Sequence, residues 1–188
     1  MVEPERAPVL ILTGPPGAGK TTTARILAGQ YARAVHVESD CFFRFISAGF
    51  VEPWKPESAS QNGVVMSVVA EAASAYARAD YFTVIDGIVL PRHFLRPIYE
   101  GLHAQGLVVA YVVLRASLDT CLRRANEREA HRLSTRSAIE DLWWQFADLG
   151  DLEGHVIETD ESGADATALQ IGTDMGGRFL LDPSKLPA

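Results

Sequence analysis

From residue 9 to residue 28 the chain reads VLILTGPPGAGKTTTARILA. Its centre, GPPGAGKT (14–21), fits G-x-x-x-x-G-K-[ST], with an apolar run before it and a helical pattern after it. Residue frequencies alone would produce this match in roughly 1 in 150 chains of this length, and the strand-then-helix context lowers that further. An ordinary glycine-rich turn is therefore a poor account of it. The glycines let the loop wrap closely, so that backbone N–H groups point inward at phosphate oxygens. The following helix adds its positive N-terminal end. Lys20 has the reach for β- and γ-phosphates, and the Thr21 hydroxyl is placed to hold Mg²⁺. Gly14, Gly17, Ala18, Gly19, Lys20, Thr21 and Thr22 are thus the candidate binding residues for a nucleoside triphosphate.

The rest of the chain supports one domain around that loop. At 188 residues and 47% hydrophobic content it can bury one substantial core, so residues 1–188 are read as a single domain. A net charge of −7 and a pI near 5.2 argue against nucleic acid or acidic membranes as partners. Cys41 and Cys121 fit no metal or disulfide spacing and read as reduced thiols in a cytoplasmic protein. No apolar run approaches the ~18–20 residues of a membrane span. Oligomeric state is left open between monomer and homodimer.

Strands are expected at 9–13, 34–38, 81–86, 107–114 and 155–159, and helices at 20–32, 60–79, 92–105, 117–130 and 137–149. Most of the strand segments are continuous apolar runs, as in strands buried on both faces. Strand–helix alternation predicts an α/β fold, a parallel sheet with helices on both sides. SAGFVEPWKPESAS (47–60) reads as a surface loop, and the tail 176–188 as irregular.

There is no N-K-x-D motif and no LSGGQ-like signature, and the chain is short for a ring ATPase with an added helical domain. Over about residues 8–172 it resembles the P-loop small-molecule kinases built on the nucleoside-monophosphate-kinase fold, such as shikimate kinases, gluconate kinases and chloramphenicol phosphotransferase. The likeness is closest to gluconate-kinase-like members, where a segment like AGFVEPW follows the acids of the second strand. The resemblance implies a three-layer α/β/α P-loop fold with a five-stranded sheet of order 2-3-1-4-5. It also implies ATP as donor, Mg²⁺, a small-molecule hydroxyl acceptor and a helical arginine lid at about 123–136.

VESDCFFRF (37–45) closes the second strand with Glu38 and Asp40. In a doubly wound sheet this is the rim where ligands sit. The resemblance makes Glu38 a magnesium ligand acting through water, and Asp40 the group that orients or deprotonates the acceptor hydroxyl. The alternative for Asp40 is the N-cap of the next helix. Asp86 ends the third strand, where a buried carboxylate needs a partner, and is a candidate Walker-B-like magnesium ligand.

DGIVLPR (86–92) echoes the DGFPR of adenylate kinases with IVL inserted, which brings in Arg92 as a candidate acceptor contact with altered spacing. Arg44 and Trp54 are further acceptor candidates. Arg124, Arg128 and Arg132 recur every four residues, so they share a helix face whose mutual repulsion an anion would relieve. The resemblance makes them lid arginines that stabilise the transferring phosphoryl group; the alternative is a solvated charged helix. By the same resemblance Thr159 and Asp160 border the adenine.

Three functions follow as expectations. The first is ATP- and Mg²⁺-dependent phosphorylation of a small-molecule hydroxyl, on a sugar acid or an antibiotic-like compound. The second is a nucleoside or nucleotide kinase, which would need Arg44, Arg92 and Arg96 around an acceptor phosphate. The third, of another class, is a regulatory nucleotide-binding protein with little turnover.

Overall fold

A computed structural model describes residues 7–127 and 136–187. In chain order the elements are β1 (Val9–Thr13), α1 (Lys20–Ala28), β2 (Ala34–Glu38), α2 (Ser39–Phe43), α3 (Ala59–Arg78), β3 (Phe82–Asp86), α4 (Arg96–His103), β4 (Val109–Arg115), α5 (Leu118–Asn126), α6 (Arg136–Trp144), β5 (Val156–Glu158) and α7 (Ala164–Asp174). The strands form one parallel sheet of order β2-β3-β1-β4-β5. That is the order the resemblance implied. The lid segment lies largely outside the described residues, and Arg128 and Arg132 with it.

Strand alternation divides the core into two layers. Val9 and Ile11 pack on one side with Val65, Val69, Ile98 and Tyr111. Leu10 and Leu12 face the other side, with Leu27, Val112 and Ile171. Every residue of β1 is buried, as a central strand requires. The edge strand β2 departs from the expectation of burial on both faces, since only Val37 in it is fully buried.

The helices differ from expectation mainly at their ends. α1 stops at Ala28 rather than 32, with Gly29 as its C-cap residue. The segment 92–105 is a π-turn, Pro91–Leu95, followed by α4. α6 stops at Trp144 instead of 149. α2 and α7 were not anticipated. The first is only five residues long, and the second buries Thr167, Ala168 and Ile171 while exposing Leu169, so its apolar stripe is indistinct.

The tail is not merely irregular. β5 pairs only with the last residues of β4, and residues 179–181 run antiparallel beside its first half. Tyr111 N–H donates to the Phe179 carbonyl at 2.9 Å, and Leu181 N–H to the Val109 carbonyl at 2.9 Å. Arg96 then holds the chain end, donating to the carbonyls of Leu186 at 3.0 Å and Pro187 at 3.1 Å.

His155 is buried, with Nδ1 2.9 Å from the Tyr111 carbonyl. A carbonyl only accepts, so Nδ1 carries the proton. Burial pushes the imidazole below its ordinary value of 6.5. The folded chain therefore binds fewer protons here than the unfolded one. This contribution to stability is complete above pH 6.5 and is lost as pH falls towards the lowered native value. Urea midpoints should drop between pH 7.5 and 5.5 in the native chain, and drop less in His155→Gln.

Candidate active site

The loop between β1 and α1 owes its shape to sterics. Gly14 has φ of 141°, and a Cβ there would fall 2.0 Å from the Leu114 carbonyl oxygen of β4. No side chain can be accommodated without moving the sheet. Gly14→Ala should cost roughly 2–5 kcal/mol, from backbone strain plus overpacking. A urea melt checks this; a midpoint like that of the native chain would refute it.

Pro16, Gly17, Gly19, Lys20 and Thr21 line a cleft of about 60 Å³ together with Glu38, Asp40, Asp86, Gly87 and Ile88. The structure thus gathers the lysine, the threonine and all three sequence-predicted carboxylates. Gly14 and Ala18 are not among the cleft walls: Gly14 packs against the Leu114 backbone, Ala18 is buried, and Thr22 faces solvent. Lys20 is folded back, its Nζ donating to the carbonyls of Gly14 at 2.9 Å and Pro15 at 3.0 Å.

The carboxylates are positioned by strand register. β2 pairs with β3 so that Glu38 lies opposite Asp86. The next residue, Ser39, is buried against Gly87, where a Cβ would fall 1.9 Å from the Ser39 hydroxyl oxygen. This contact fixes the start of α2 against the end of β3. Glu38 is the N-cap residue of α2, and Asp40 is in its first turn and exposed. The N-cap alternative for Asp40 is therefore set aside.

Asp86 is 2% exposed, and its Oδ2 lies 3.1 Å from His36 Nε2. That answers the expectation of a partner for a buried strand-end acid. Glu38 makes a 3.6 Å ion pair with the exposed Arg25 of α1. Such surface pairs are worth about 0–1 kcal/mol. His36 and Arg25 were not singled out in the sequence. Their partners are 50 and 13 residues away, and no local pattern links them.

Of the three lid arginines, Arg124 is the one within the described residues. It does not line the cleft; its guanidinium donates to the carbonyls of Gly17 at 3.5 Å and Thr159 at 3.1 Å. It joins α5, the phosphate loop and the end of β5. Thr159 is likewise buried, its hydroxyl 3.2 Å from the Ala18 carbonyl and 3.3 Å from that of Arg115. Its side chain supports the loop from beneath instead of standing free beside it. Ser117 caps α5 and Asp160 holds it in place, accepting from its backbone N–H at 2.8 Å and from its hydroxyl at 2.7 Å. The Ser117 hydroxyl holds the Asp160 carboxyl below the usual carboxylate range.

The acceptor candidates are dispersed. Trp54 walls a separate cleft of about 1130 Å³ between α3, α4 and α6. Arg92 lines another, with Trp144, Asp148, Asp151 and Lys185. Arg44 is exposed on the turn after α2. Cys121 is buried, which pushes its thiol up to about 11, as for an unreactive cysteine.

A family model described as an AAA domain matches residues 9–148. The chain belongs to this AAA-domain family. Within it the chain has a P-loop, kinase-like fold, seen in its likeness to three solved structures. The tunicamycin resistance protein of Deinococcus radiodurans is 23% identical, with 95% of this chain and 100% of that chain covered and a TM-score of 0.67. The shikimate kinase of Acinetobacter baumannii, solved with shikimate, is 22% identical over 90% of this chain and 93% of that one, with a TM-score of 0.61. The APS kinase of Mycobacterium tuberculosis, solved with AMPPNP and APS, is 16% identical over 93% and 100%, with a TM-score of 0.69. At these identities the likeness is one of fold. A search of curated proteins finds no match. Among the described residues, no helix of this AAA-domain chain is long and apolar enough to cross a membrane.

Proposed function

We propose that the chain is an ATP- and Mg²⁺-dependent phosphotransferase that moves the γ-phosphate to a hydroxyl of a small molecule. The observation that carries this reading is the single cleft containing Lys20, Thr21, Glu38, Asp40 and Asp86. A phosphate-binding loop alone suits any nucleotide-binding protein. An exposed carboxylate across from the phosphate lysine is what a phosphoryl acceptor requires.

The oxygen donors of the cleft suit Mg²⁺, which is held by one or two protein oxygens plus phosphates and waters. Among the described residues there is no dedicated cluster of three or more metal-ligating side chains. Thr21 would hold the ion directly, with Glu38 and Asp86 behind it. When bound, the ion neutralises charge on the β- and γ-phosphate oxygens.

Lys20 exchanges its two carbonyl partners for phosphate oxygens and stabilises the charge that builds on them. Asp40 accepts the proton of the acceptor hydroxyl. The oxygen forms a bond to the γ-phosphorus as the bond from that phosphorus to the bridging oxygen breaks. ADP and a phosphate monoester leave, and Asp40 returns its proton to water. Most of the rate enhancement comes from alignment and charge stabilisation.

The nucleotide-kinase alternative needs several arginines at an acceptor phosphate. Arg96 is committed to the chain end, Arg92 belongs to a different cleft and Arg44 lies outside both, so nothing among the described residues favours that reading. The test is ADP release with ATP and Mg²⁺ across sugar acids, nucleosides, nucleoside monophosphates and hydroxylated antibiotics. A phosphorylated product should be identified by mass. ATP binding without transfer to any of these would favour the regulatory alternative.

A further inference from the structure

The cleft between α3, α4 and α6 is far larger than the one at the phosphate loop. Because α3 follows β2 and runs back along a parallel sheet, its first turn is at the rim that carries the phosphate loop, and its end, Arg78, is at the opposite edge. The rim end is walled by Trp54, Asn62, Met66, Phe94 and Leu142. One short segment connects the two sites. Asp86, Gly87 and Ile88 wall the phosphate-loop cleft, and Leu90 walls the larger one.

Trp54 is held in place from α3. Gln61 bonds both backbone groups of Val51, accepting from its N–H at 2.9 Å and donating to its carbonyl at 2.7 Å. Asn62 donates through Nδ2 to the Pro53 carbonyl at 2.7 Å and to the Ser58 hydroxyl at 2.9 Å. These two bonds fix the amide's orientation. Its Oδ1 is left buried with no partner in the protein, although Asn62 is a wall residue of the cleft. A buried amide oxygen without a donor is costly, and a donor on a bound molecule would relieve it.

The charges of the described wall residues argue against one class of occupant. Lys55 and Arg78 are balanced by Glu71 and Asp141, with His93 the remaining titratable wall group. At the rim end Lys55 is paired with Glu52 at 2.8 Å. Arg78 is at the far edge, bonded to Gln105 at 3.1 Å. A carboxylate or phosphate brought into this apolar space would need a cation that the described residues of the rim end do not supply.

We infer that the acceptor is an uncharged, largely apolar alcohol with a second polar hydrogen, held at the rim end of this cleft against Trp54, the second hydrogen bonded to Asn62 Oδ1 and the reacting hydroxyl left for Asp40. The inference rests on the phosphotransferase reading and narrows its acceptor away from sugar acids and nucleotides.

The experiment compares uncharged aryl and cyclohexyl diols with gluconate, shikimate, AMP and UMP, in the full chain with ATP and Mg²⁺. Product formation and tryptophan quenching are both read. We expect kcat/KM for the best uncharged alcohol to exceed that for every anion by about tenfold or more. Trp54→Ala and Asn62→Leu, which removes the acceptor oxygen at similar size, should each raise KM for it about tenfold, with kcat moving much less. Trp54→Ala should also abolish the quenching that alcohols cause in the absence of ATP.

Preferred transfer to gluconate, shikimate or a nucleoside monophosphate would overturn the inference and leave the phosphotransferase reading intact. So would a KM unmoved by Trp54→Ala. Quenching by alcohols that depends on Trp54, without transfer to any compound, would support the cleft assignment and sink the phosphotransferase reading. Absence of any alcohol binding that depends on Trp54 overturns the inference outright.

Discussion

Asp40→Asn lowers turnover with the true acceptor by roughly 10²–10⁴-fold, the range for removal of a general base. The substitution keeps the size of the side chain and removes only its capacity to take a proton. Asp40 is exposed in the first turn of a five-residue helix and makes no buried contact, so the chain should still fold. Melting curves with and without ATP separate a lost base from a lost structure. Turnover within twofold of the native chain would show that the hydroxyl proton leaves by another route. The acids at the strand-two rim would then be there for metal and loop geometry alone.

Lys20→Ala should lower turnover on the order of 10²–10³-fold or more, as when a preorganised donor to developing charge is removed. It should also abolish most ATP binding. With ATP at about 100 times its Kd, ligand linkage adds ~2.7 kcal/mol to the native chain, a rise in Tm of roughly 5–10 °C for a domain of this size. That rise should largely vanish in the variant. In the present conformation the ammonium bonds to the Gly14 and Pro15 carbonyls, so its removal also loosens the loop. A Tm rise preserved in Lys20→Ala would contradict the assignment of this loop to triphosphate binding.

The two substitutions separate the functional classes. A phosphotransferase loses transfer in both cases, and through different steps. A regulatory nucleotide-binding protein loses ATP response with Lys20→Ala and is indifferent to Asp40→Asn.

Much of the site was legible in the sequence because its chemistry is local. Lys20 and Thr21 are adjacent, and the loop that places them is eight residues long. Glu38 and Asp40 flank one serine at the end of a strand that the apolar run 34–38 already marked. The roles of Arg124 and Thr159 were less legible. Both are long or polar side chains close to the nucleotide loop, and proximity along a resembling fold does not say whether such a group faces a ligand or supports the backbone. Here Thr159 is buried under Ala18, and Arg124 spans Gly17 and Thr159.

Arg115 makes the same point for stability. It ends β4 as an ordinary charged residue, yet it bonds Glu153 at 3.0 Å, Glu158 at 2.7 Å and the carbonyls of Phe146 and Ala147 at 3.1 Å. Its hydrogen bonds hold the Glu153 carboxyl below the usual range. Its partners are 31 to 43 residues away.

The sequence by itself determined the strand–helix alternation, the phosphate loop and the acidic pair. Hydrophobic periodicity, turn sterics and helix polarity act within a few residues. Tertiary structure alone decided that Glu38 lies opposite Asp86, that His36 is the partner of Asp86, that Arg96 holds the tail and that the described walls of the large cleft are balanced in charge. Each depends on which strands become neighbours, and in what register. In a parallel sheet a long crossover sets that, so the partner of a charged side chain is chosen tens of residues away.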